Sequence, residues 1–377
     1  MKNLALYIHI PFCEKKCHYC DFISTPTNKD LQEKYFSYLL KEVSMLKDKA
    51  RGYKVDSVFI GGGTPSVLEG EKIEILLETL NKDFEISKDA EITIEVNPGT
   101  LNNNKAISYK KAGITRLSLG IQSMNDITLK FIGRIHNKTD VIRTLQILKE
   151  NSFSNISGDL IFGLPNEDLE DFKRSLKEVI DLGLSHISMY GLILEEGTLM
   201  YTWKQKGLLK MPSEEEERKM YHEGVEFLEE NNFIQYEISN FAKLGFESKH
   251  NIGYWELKPY LGLGLGSHSN IDDKRYWNES KFDMYFKKIQ EGKLPIGGSE
   301  SIDIKLKEAE YLILAIRMNK GIIKKDYEDK FSHILMEKYK DPIERHIKND
   351  LLIDTGPSIK LSKKGLDLSN LVEVDFI

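Results

Sequence analysis

The chain contains three cysteines, and all of them lie on one short segment, at Cys13, Cys17 and Cys20. Thiolates at this spacing are ligands for zinc or for iron–sulfur clusters, and both kinds of site normally take four protein ligands. A four-iron cluster that is held by three thiolates keeps one iron open for a small molecule. A zinc site would need a fourth ligand, and His18 inside the loop is the nearest candidate. We expect a [4Fe–4S] cluster, with zinc as the alternative.

Polar or glycine residues follow five successive apolar segments that have the pattern of strands. They are Cys13, the Gly62-Gly63-Thr64 run, Glu95, Gln122 and Asp159. Because the carboxyl ends of parallel strands meet at one edge of a sheet, we expect these residues to surround the cysteines. Gly is also a common turn residue, but five such strand ends in a row favour a ligand-binding face.

Short apolar runs alternate with amphipathic stretches over much of the chain. The predicted strands are 4–10, 58–61, 92–96, 117–122, 156–162 and 187–194, with helices at 31–46, 72–80, 139–150 and 168–182 between them. This alternation predicts a parallel sheet with right-handed crossovers. Six units are fewer than the eight of a closed barrel, so the sequence predicts an α/β fold with a partial (β/α)6 barrel of the TIM type over residues 1–235.

The alternation fades in the remainder of the chain. A helix is expected at 214–231 and a strand at 233–241, and residues 236–300 are expected to extend the barrel. Helices at 305–319 and 333–349, followed by a hairpin at 351–361, predict a small, mostly helical, winged-helix-like domain over residues 301–377.

Composition and charge exclude several classes of partner and location. With 53 Lys and Arg against 59 Asp and Glu, the chain has no basic field for nucleic acid. No apolar stretch approaches the ~20 residues of a membrane span, and the first residues lack the cleavage site of a signal peptide. An odd number of closely spaced cysteines suits a reducing compartment. We expect a cytoplasmic protein, with peripheral membrane association as an open alternative.

The cysteine spacing, in the setting Tyr7-Ile-His-Ile-Pro-Phe-Cys13, resembles the radical S-adenosylmethionine superfamily. The resemblance implies that S-adenosylmethionine occupies the open iron, where an electron from the cluster can break its sulfonium bond. Carboxylates and arginine suit the ribose, amino and carboxylate groups of that cofactor. Residues at matching positions are therefore expected to bind it: Tyr7, Tyr19, Gly62, Gly63, Thr64, Glu95, Gln122, Arg134 and Asp159.

A narrower resemblance covers essentially the whole chain. The motifs Gly61-Gly-Gly-Thr-Pro65, Ile94-Glu-Val-Asn-Pro98, Gly120-Ile-Gln-Ser123, Gly133-Arg-Ile-His136 and Asp159-Leu-Ile-Phe-Gly-Leu-Pro165 resemble the oxygen-independent coproporphyrinogen III oxidase group. That group has two branches. One is the oxidase that decarboxylates coproporphyrinogen, and the other is the HemW family of heme chaperones.

Two departures from the oxidase pattern favour the chaperone branch. In the oxidase the cluster loop continues as Cys-x-Cys, whereas this chain has Cys20-Asp21-Phe22. The oxidase also carries an extension before its first strand, and here Tyr7 lies near the first residue. Both differences make decarboxylation the less expected activity.

The segment His250-Asn251-Ile-Gly-Tyr254-Trp255 resembles the HNxxYW signature of the chaperone branch. The resemblance implies heme contact at His250, Tyr254 and Trp255. Imidazole is a common axial ligand of heme iron, and aromatic rings offer a flat surface to a porphyrin. The alternative is a capped turn in which His250 bonds a carbonyl and the aromatic residues belong to the core.

Glycines alternate with leucines from Tyr260 to Gly266, just before His268. No helix pattern follows them, which is unlike a phosphate-binding loop. We therefore predict a glycine-rich strand close to the cofactor.

The resemblance to the chaperone branch implies a heme chaperone that binds a [4Fe–4S] cluster, S-adenosylmethionine and heme, and that delivers the heme to acceptor hemoproteins such as respiratory ones. Its expected partners are acceptor hemoproteins, an electron donor for the cluster and a second copy of the chain in a homodimer. No catalytic residue is assigned. The alternatives are a coproporphyrinogen III oxidase and a different radical S-adenosylmethionine enzyme.

Overall fold

The computed structural model describes residues 1–376. The first half of the chain contains β1 (Lys2–Ile10), β2 (Phe12–Cys13), β3 (Thr25–Pro26), α1 (Lys29–Leu46), β4 (Tyr53–Gly62), α2 (Gly70–Asp83), β5 (Ile86–Val96), α3 (Asn103–Ala112), β6 (Arg116–Gln122), α4 (Asp126–Phe131), α5 (Lys138–Glu150), β7 (Ile156–Phe162), α6 (Leu169–Asp181) and β8 (His186–Gly191). Next come α7 (Leu199–Gln205), α8 (Glu214–Glu230), β9 (Ile234–Glu237), β10 (Asn240–Ala242), α9 (Lys249–Trp255), β11 (Tyr260–Leu263), β12 (His268–Ile271), β13 (Lys274–Asn278), α10 (Phe282–Gln290) and β14 (Ile296–Ser301).

The C-terminal part contains α11 (Ile304–Ile316), β15 (Ile322–Ile323), α12 (Lys324–Phe331), α13 (Leu335–Lys338), α14 (Lys340–Lys348), β16 (Leu352–Asp354), β17 (Ser358–Leu361), α15 (Lys363–Asp367) and α16 (Ser369–Glu373). Short 3-10 turns lie at Lys47–Ala50, Pro65–Val67 and Val374–Phe376.

The centre of the fold is a parallel sheet in the order β1-β4-β5-β6-β7-β8. The predicted six-stranded partial barrel is therefore confirmed. Strand β11 pairs in parallel with the other side of β1, and antiparallel strands continue beyond both edges. The whole sheet has 12 strands, in the order β14-β13-β12-β11-β1-β4-β5-β6-β7-β8-β10-β9.

The strands bury apolar side chains on one face and polar side chains on the other. On β1, Leu6 and Ile8 are fully buried in the main hydrophobic core, together with residues of α1. Because side chains alternate across a strand, Tyr7 and His9 lie on the opposite face, inside the partial barrel. Buried polar residues line the same interior on later strands: Ser57, Glu91, Thr93, Arg116, Ser157 and His186. The inside of the partial barrel is therefore lined by polar side chains, and the outer face of its strands packs in the hydrophobic core.

A separate hydrophobic core, which includes Leu312, Tyr327 and Ile343, belongs to the C-terminal part. Its small antiparallel sheet has the order β15-β17-β16, and the predicted hairpin is confirmed as β16 and β17. The predicted helix at 333–349 was too long, because it divides at Tyr339 between α13 and α14. Pro342 lies in the first turn of α14 and has no N–H with which to continue a preceding helix.

The predicted strand at 233–241 is also divided, into β9 and β10. The carboxylate of Glu237 accepts a 2.9 Å hydrogen bond from the Ser239 N–H and also pairs with the Asn240 side chain, which stabilises the turn between the two strands. The proposed division of the chain at residues 235 and 236 falls inside β9, which is part of the main sheet. Within residues 1–376, no helix has the length and apolar composition that a membrane span needs.

Candidate cofactor site

The cysteine loop is closed at its base by the short parallel pair β2 and β3. The Thr27 N–H donates to the Cys13 carbonyl at 2.8 Å, and the Thr25 N–H donates to the Pro11 carbonyl at 2.9 Å. From inside the barrel, His9 Nε2 lies 2.8 Å from the Ile23 carbonyl oxygen. These contacts fix both ends of the segment that carries the three thiols.

A small separate hydrophobic core supports the outer side of the same loop and consists of Leu129, Ile132, Ile161, Leu164 and Met200. The His18 N–H donates to the Ile132 carbonyl at 3.0 Å, and the His18 carbonyl accepts from the Met200 N–H at 3.0 Å. The His18 ring points into this support, with Nδ1 2.9 Å from the Phe131 carbonyl and the ring edge against Trp203. His18 is thus occupied as a structural residue, which disfavours it as the fourth ligand of a zinc site.

A cavity of about 390 Å³ opens at the carboxyl ends of the parallel strands. This volume is within the usual range of small-molecule sites, about 300–1,000 Å³. All three cysteines line it, together with all but one of the residues that the sequence associated with S-adenosylmethionine: Tyr19, Gly62, Gly63, Thr64, Glu95, Gln122, Arg134 and Asp159. The exception is Tyr7.

The three thiols have different neighbours in the cavity wall. The Thr64 hydroxyl lies 3.5 Å from Cys13 Sγ, and Arg134 Nη1 lies 3.5 Å from Cys17 Sγ. Burial raises the pKa of the Cys20 thiol to about 11, and metal binding requires the deprotonated thiolate. Among residues 1–376, no three His, Cys, Asp or Glu side chains converge on one metal position. Three thiolates on one loop would each bind a different iron of a cubane cluster.

Arg134 has the features of a carboxylate-binding residue. One of its terminal nitrogens donates to the Asn97 side-chain oxygen at 2.7 Å and to the Gly120 carbonyl at 2.6 Å. Its Nε atom is buried and has no hydrogen-bond partner within residues 1–376. A buried donor without an acceptor is costly, so a ligand carboxylate here would satisfy it.

The backbone next to the cavity shows two features of a functional site. Gln122 ends β6 with φ of +68°, a conformation that costs free energy for a residue with a Cβ. At Gly63, a Cβ atom would meet the backbone oxygen of Phe12 at 2.6 Å. Only glycine therefore allows the strand end of β4 to lie this close to the strand that carries Cys13.

Two half-buried carboxyl groups, Glu95 on β5 and Asp159 on β7, lie on the cavity side of the sheet, with β6 between their strands. Burial, together with the charge of Asp159, raises the pKa of Glu95 to about 8, although the Gly62 N–H donates to it at 3.0 Å. Burial also raises the pKa of Asp159 to about 6, while hydrogen bonds from Ser188 and Ser118 oppose the rise. A cationic ligand with hydroxyl groups would favour the ionised form of both groups.

Tyr7 lies deeper in the barrel than the cavity lining. Its hydroxyl is 3.0 Å from His9 Nδ1, and its ring stacks on Phe59 with centroids 6.3 Å apart. Because the other His9 nitrogen contacts the Ile23 carbonyl, Tyr7 supports the cluster loop through His9.

His250 lies on α9, where the helix packs against the barrel, and it is 1 % exposed. Its Nδ1 is 3.0 Å from the Ser57 hydroxyl, and its Nε2 is 3.1 Å from the Tyr254 hydroxyl. Burial lowers its pKa to about 3, so the imidazole is neutral. Both ring nitrogens are engaged, and neither His250 nor Tyr254 lines the cluster cavity.

Trp255 faces the C-terminal helices. The Arg317 guanidinium lies 4.7 Å from the centre of its ring, and Trp255 lines a separate cavity of about 260 Å³ with Tyr311 and Met318. The structure therefore separates the three residues of the predicted heme segment from the three cysteines.

The glycine-rich segment forms β11, beside β1, and then a turn in which Gly264 and Gly266 have positive φ. The Gly264 N–H donates to the buried Glu42 carboxylate at 2.8 Å. His268 is exposed and stacks on Trp277. The segment is structural and adjoins the cluster loop, since a Cβ atom on Gly266 would meet the Ile23 side chain.

Several cavity residues were not predicted from the sequence. Asn97 and Gly120 lie within strand-end motifs, so their position was a usable signal. In the sequence, Phe22 stands out only because the oxidase pattern has a cysteine at that position. No sequence signal marked the residues that follow β8 as part of the lining, namely Leu192 and Ile193.

Comparison with known proteins agrees with this geometry. Residues 7–179 match the Radical SAM superfamily, and residues 309–368 match the HemN C-terminal domain. The chain is 35% identical over 369 residues to the heme chaperone HemW of Bacillus subtilis, which covers 98% of this chain and 97% of that protein. It is 33% identical to the heme chaperone HemW of Lactococcus lactis, over 100% of this chain and 98% of that protein.

The structure of coproporphyrinogen III oxidase (HemN) from Escherichia coli superimposes with a TM-score of 0.86, over 100% of this chain and 90% of that chain. Its sequence identity is 22%, so this likeness establishes the fold alone. The chaperone sequences are closer and match nearly end to end. This chain belongs to the HemW family of heme chaperones, within the radical S-adenosylmethionine superfamily.

Proposed function

We propose that this protein is a heme chaperone, which binds heme and delivers it to acceptor hemoproteins. The observation that carries the proposal is the match to proteins named heme chaperone HemW at 33–35% identity over 98–100% of this chain. The oxidase resembles it in fold, at 22% identity. Phe22, where the oxidase loop is expected to have a cysteine, supports the same choice.

The proposed resident cofactors are a [4Fe–4S] cluster and S-adenosylmethionine. Cys13, Cys17 and Cys20 would hold the cluster, which supplies one-electron reduction when bound. Arg134 would bind the carboxylate of S-adenosylmethionine, because its buried Nε lacks an acceptor in the described residues. Glu95 and Asp159 would accept hydrogen bonds from the amino and ribose groups and balance the positive charge of the sulfonium.

The proposed heme contacts at His250, Tyr254 and Trp255 need a rearrangement. His250 can ligate iron only if one of its ring nitrogens leaves Ser57 or Tyr254. Its low pKa favours ligation, because a neutral imidazole is the form that binds iron. Loss of the Soret band in His250→Ala would support this contact, whereas an unchanged spectrum would locate the ligand elsewhere.

We further propose two kinds of partner: acceptor hemoproteins, including respiratory ones, and an electron donor for the cluster. The proposed location is the cytoplasm, with peripheral contact with a membrane through the acceptor. A homodimer remains part of the proposal. The chain's formal net charge of −6 supports the absence of a nucleic-acid partner.

A second candidate is oxidative decarboxylation of coproporphyrinogen III. The cavity favours it, because the cysteines and eight of the nine predicted cofactor residues line one space. Anaerobic incubation with coproporphyrinogen, reductant and S-adenosylmethionine tests it by product analysis. Accumulation of protoporphyrinogen would contradict a function limited to heme delivery.

A further inference from the structure

The mouth of the cluster cavity carries large apolar side chains that no part of the described fold covers. Phe22, on the cysteine loop, is 62% exposed, and Ile193, after β8, is 70% exposed. Both line the cavity, from separate segments of the chain. Exposed apolar groups that flank one cavity are typical of a ligand-binding surface.

Two cations stand beside these apolar groups. Lys15 and Lys16 are exposed and line the same cavity. The Lys16 ammonium donates to the Phe22 carbonyl at 3.0 Å, which holds a positive charge next to the backbone of Phe22. We name Lys15, Lys16, Phe22 and Ile193 the rim surface. The exposed acidic residues of the same loop, Glu14 and Asp21, lie outside the cavity lining, and the carboxylates that line the cavity, Glu95 and Asp159, belong to strands β5 and β7.

An apolar surface flanked by cations matches one ligand on chemical grounds. Heme has a flat apolar macrocycle and two propionates at one edge, so its ring can contact Phe22 and Ile193 while the propionates pair with Lys15 and Lys16. A second copy of the chain is a poorer occupant. A stable dimer interface buries about 800 Å² on each partner, far more than two apolar side chains supply.

We propose that heme docks on the rim surface, above the space for the cluster and S-adenosylmethionine. This inference rests on the proposed heme-chaperone function, and it assigns heme a site on the cluster loop, separate from the His250 segment. A heme at this position covers the mouth of the cavity.

Heme titration of purified full-length protein, followed by Soret absorbance, tests the site. Phe22→Asp and Ile193→Asp are each expected to weaken heme binding by about tenfold or more, because each removes apolar contact and adds a negative charge. Leu244→Asp is the matched control, since Leu244 is 83% exposed and lies outside the cavity lining. Circular dichroism and thermal unfolding confirm that the variants fold.

The propionates are tested with charge variants and a modified ligand. The double variant Lys15→Glu, Lys16→Glu is expected to bind heme roughly threefold or more weakly than wild type. Heme with both propionates esterified should bind wild type more weakly, and the lysine variant should not weaken it further. Lys325→Glu is the control, because that lysine is 82% exposed and lies on α12.

Each result decides the proposal. Weakened binding in the rim variants, with both controls unchanged, supports it. Wild-type binding in all rim variants overturns the site and leaves the proposed function intact if wild type still binds heme. Rim variants that bind heme normally but change the oligomeric state also overturn it, because the surface is then a contact between copies. Absence of heme binding in wild type overturns both the site and the proposed function.

Discussion

Arg134 and Cys17 are in direct contact, with the guanidinium Nη1 3.5 Å from the thiol sulfur. The same side chain reaches Asn97 and Gly120 at two strand ends, and its Nε has no acceptor among residues 1–376. One residue thus joins the cluster loop to the part of the cavity proposed for the amino-acid end of S-adenosylmethionine.

Arg134→Ala is expected to weaken S-adenosylmethionine binding by about 10- to 100-fold, since a charge-assisted hydrogen bond contributes roughly 1.5–3 kcal/mol. Isothermal titration with the cluster-reconstituted protein measures the effect. Arg134→Lys should restore only part of the affinity, because lysine lacks the bidentate geometry. Arg143→Ala, at a 70% exposed arginine, is the control. Equal affinities in all four proteins would remove Arg134 from the site.

Cys17→Ala is expected to abolish the cluster, because the variant leaves only two of the three thiolates that hold the four irons. Iron and acid-labile sulfide should fall from about four of each per chain to background, while Ser24→Ala keeps the wild-type content. Stoichiometric zinc without sulfide in the anaerobically purified wild type would favour the zinc alternative.

S-adenosylmethionine affinity is expected to rise with pH around the pKa of Glu95, which burial raises to about 8. Below that pH the free protein holds Glu95 protonated, and the cationic ligand must displace the proton. Affinity should therefore increase between pH 6 and 9 and level off above the pKa. Glu95→Gln should remove most of this slope, and an unchanged slope would assign the titration to another group.

Glu42 gives a prediction about stability. It is fully buried and accepts hydrogen bonds from Tyr285 and Asn278, both at 2.6 Å, and burial raises its pKa to about 7. The folded state binds the Glu42 proton more tightly than the unfolded chain does. The stabilisation is therefore complete below the unfolded pKa, about 4.5, and is lost as pH rises toward 7.

Chemical denaturation across this range measures the change. Glu42→Gln should lose the part of the slope that comes from this group, because the amide does not titrate. Glu226→Gln, at an exposed glutamate of α8, should retain the wild-type slope. Identical slopes in wild type and Glu42→Gln would contradict the assignment.

The strand-end residues could be predicted because their position follows from local pattern. Alternating strands and helices specify a parallel sheet, and Gly62, Glu95, Gln122 and Asp159 then meet at its edge. Tyr7 lay outside this reasoning, since its register on β1 directs it into the barrel beside His9. Side chains alternate between the two faces of a strand, so the face on which Tyr7 lies depends on the register of β1. That register is set by the pairing of β1 with its neighbouring strands.

The environment of His250 depends on tertiary packing. Its partners Ser57 and Glu91 are far away in the sequence and reach it only because α9 packs against the barrel. The same limit applies to Ile193, whose exposure beside the cysteine loop depends on how the segment after β8 returns over the cavity. Periodicity describes single elements, whereas these contacts join elements that are distant in the chain.

Heme transfer tests the central claim most directly. The purified protein is loaded with heme, separated from free heme and mixed with the apo-form of a respiratory heme enzyme. Spectra and activity of the acceptor are then followed, with free heme at the same concentration as the control. We predict that the acceptor gains its heme spectrum and activity faster from the loaded protein than from free heme. A protein that retains its heme, or that forms protoporphyrinogen from coproporphyrinogen in the anaerobic assay, would contradict it.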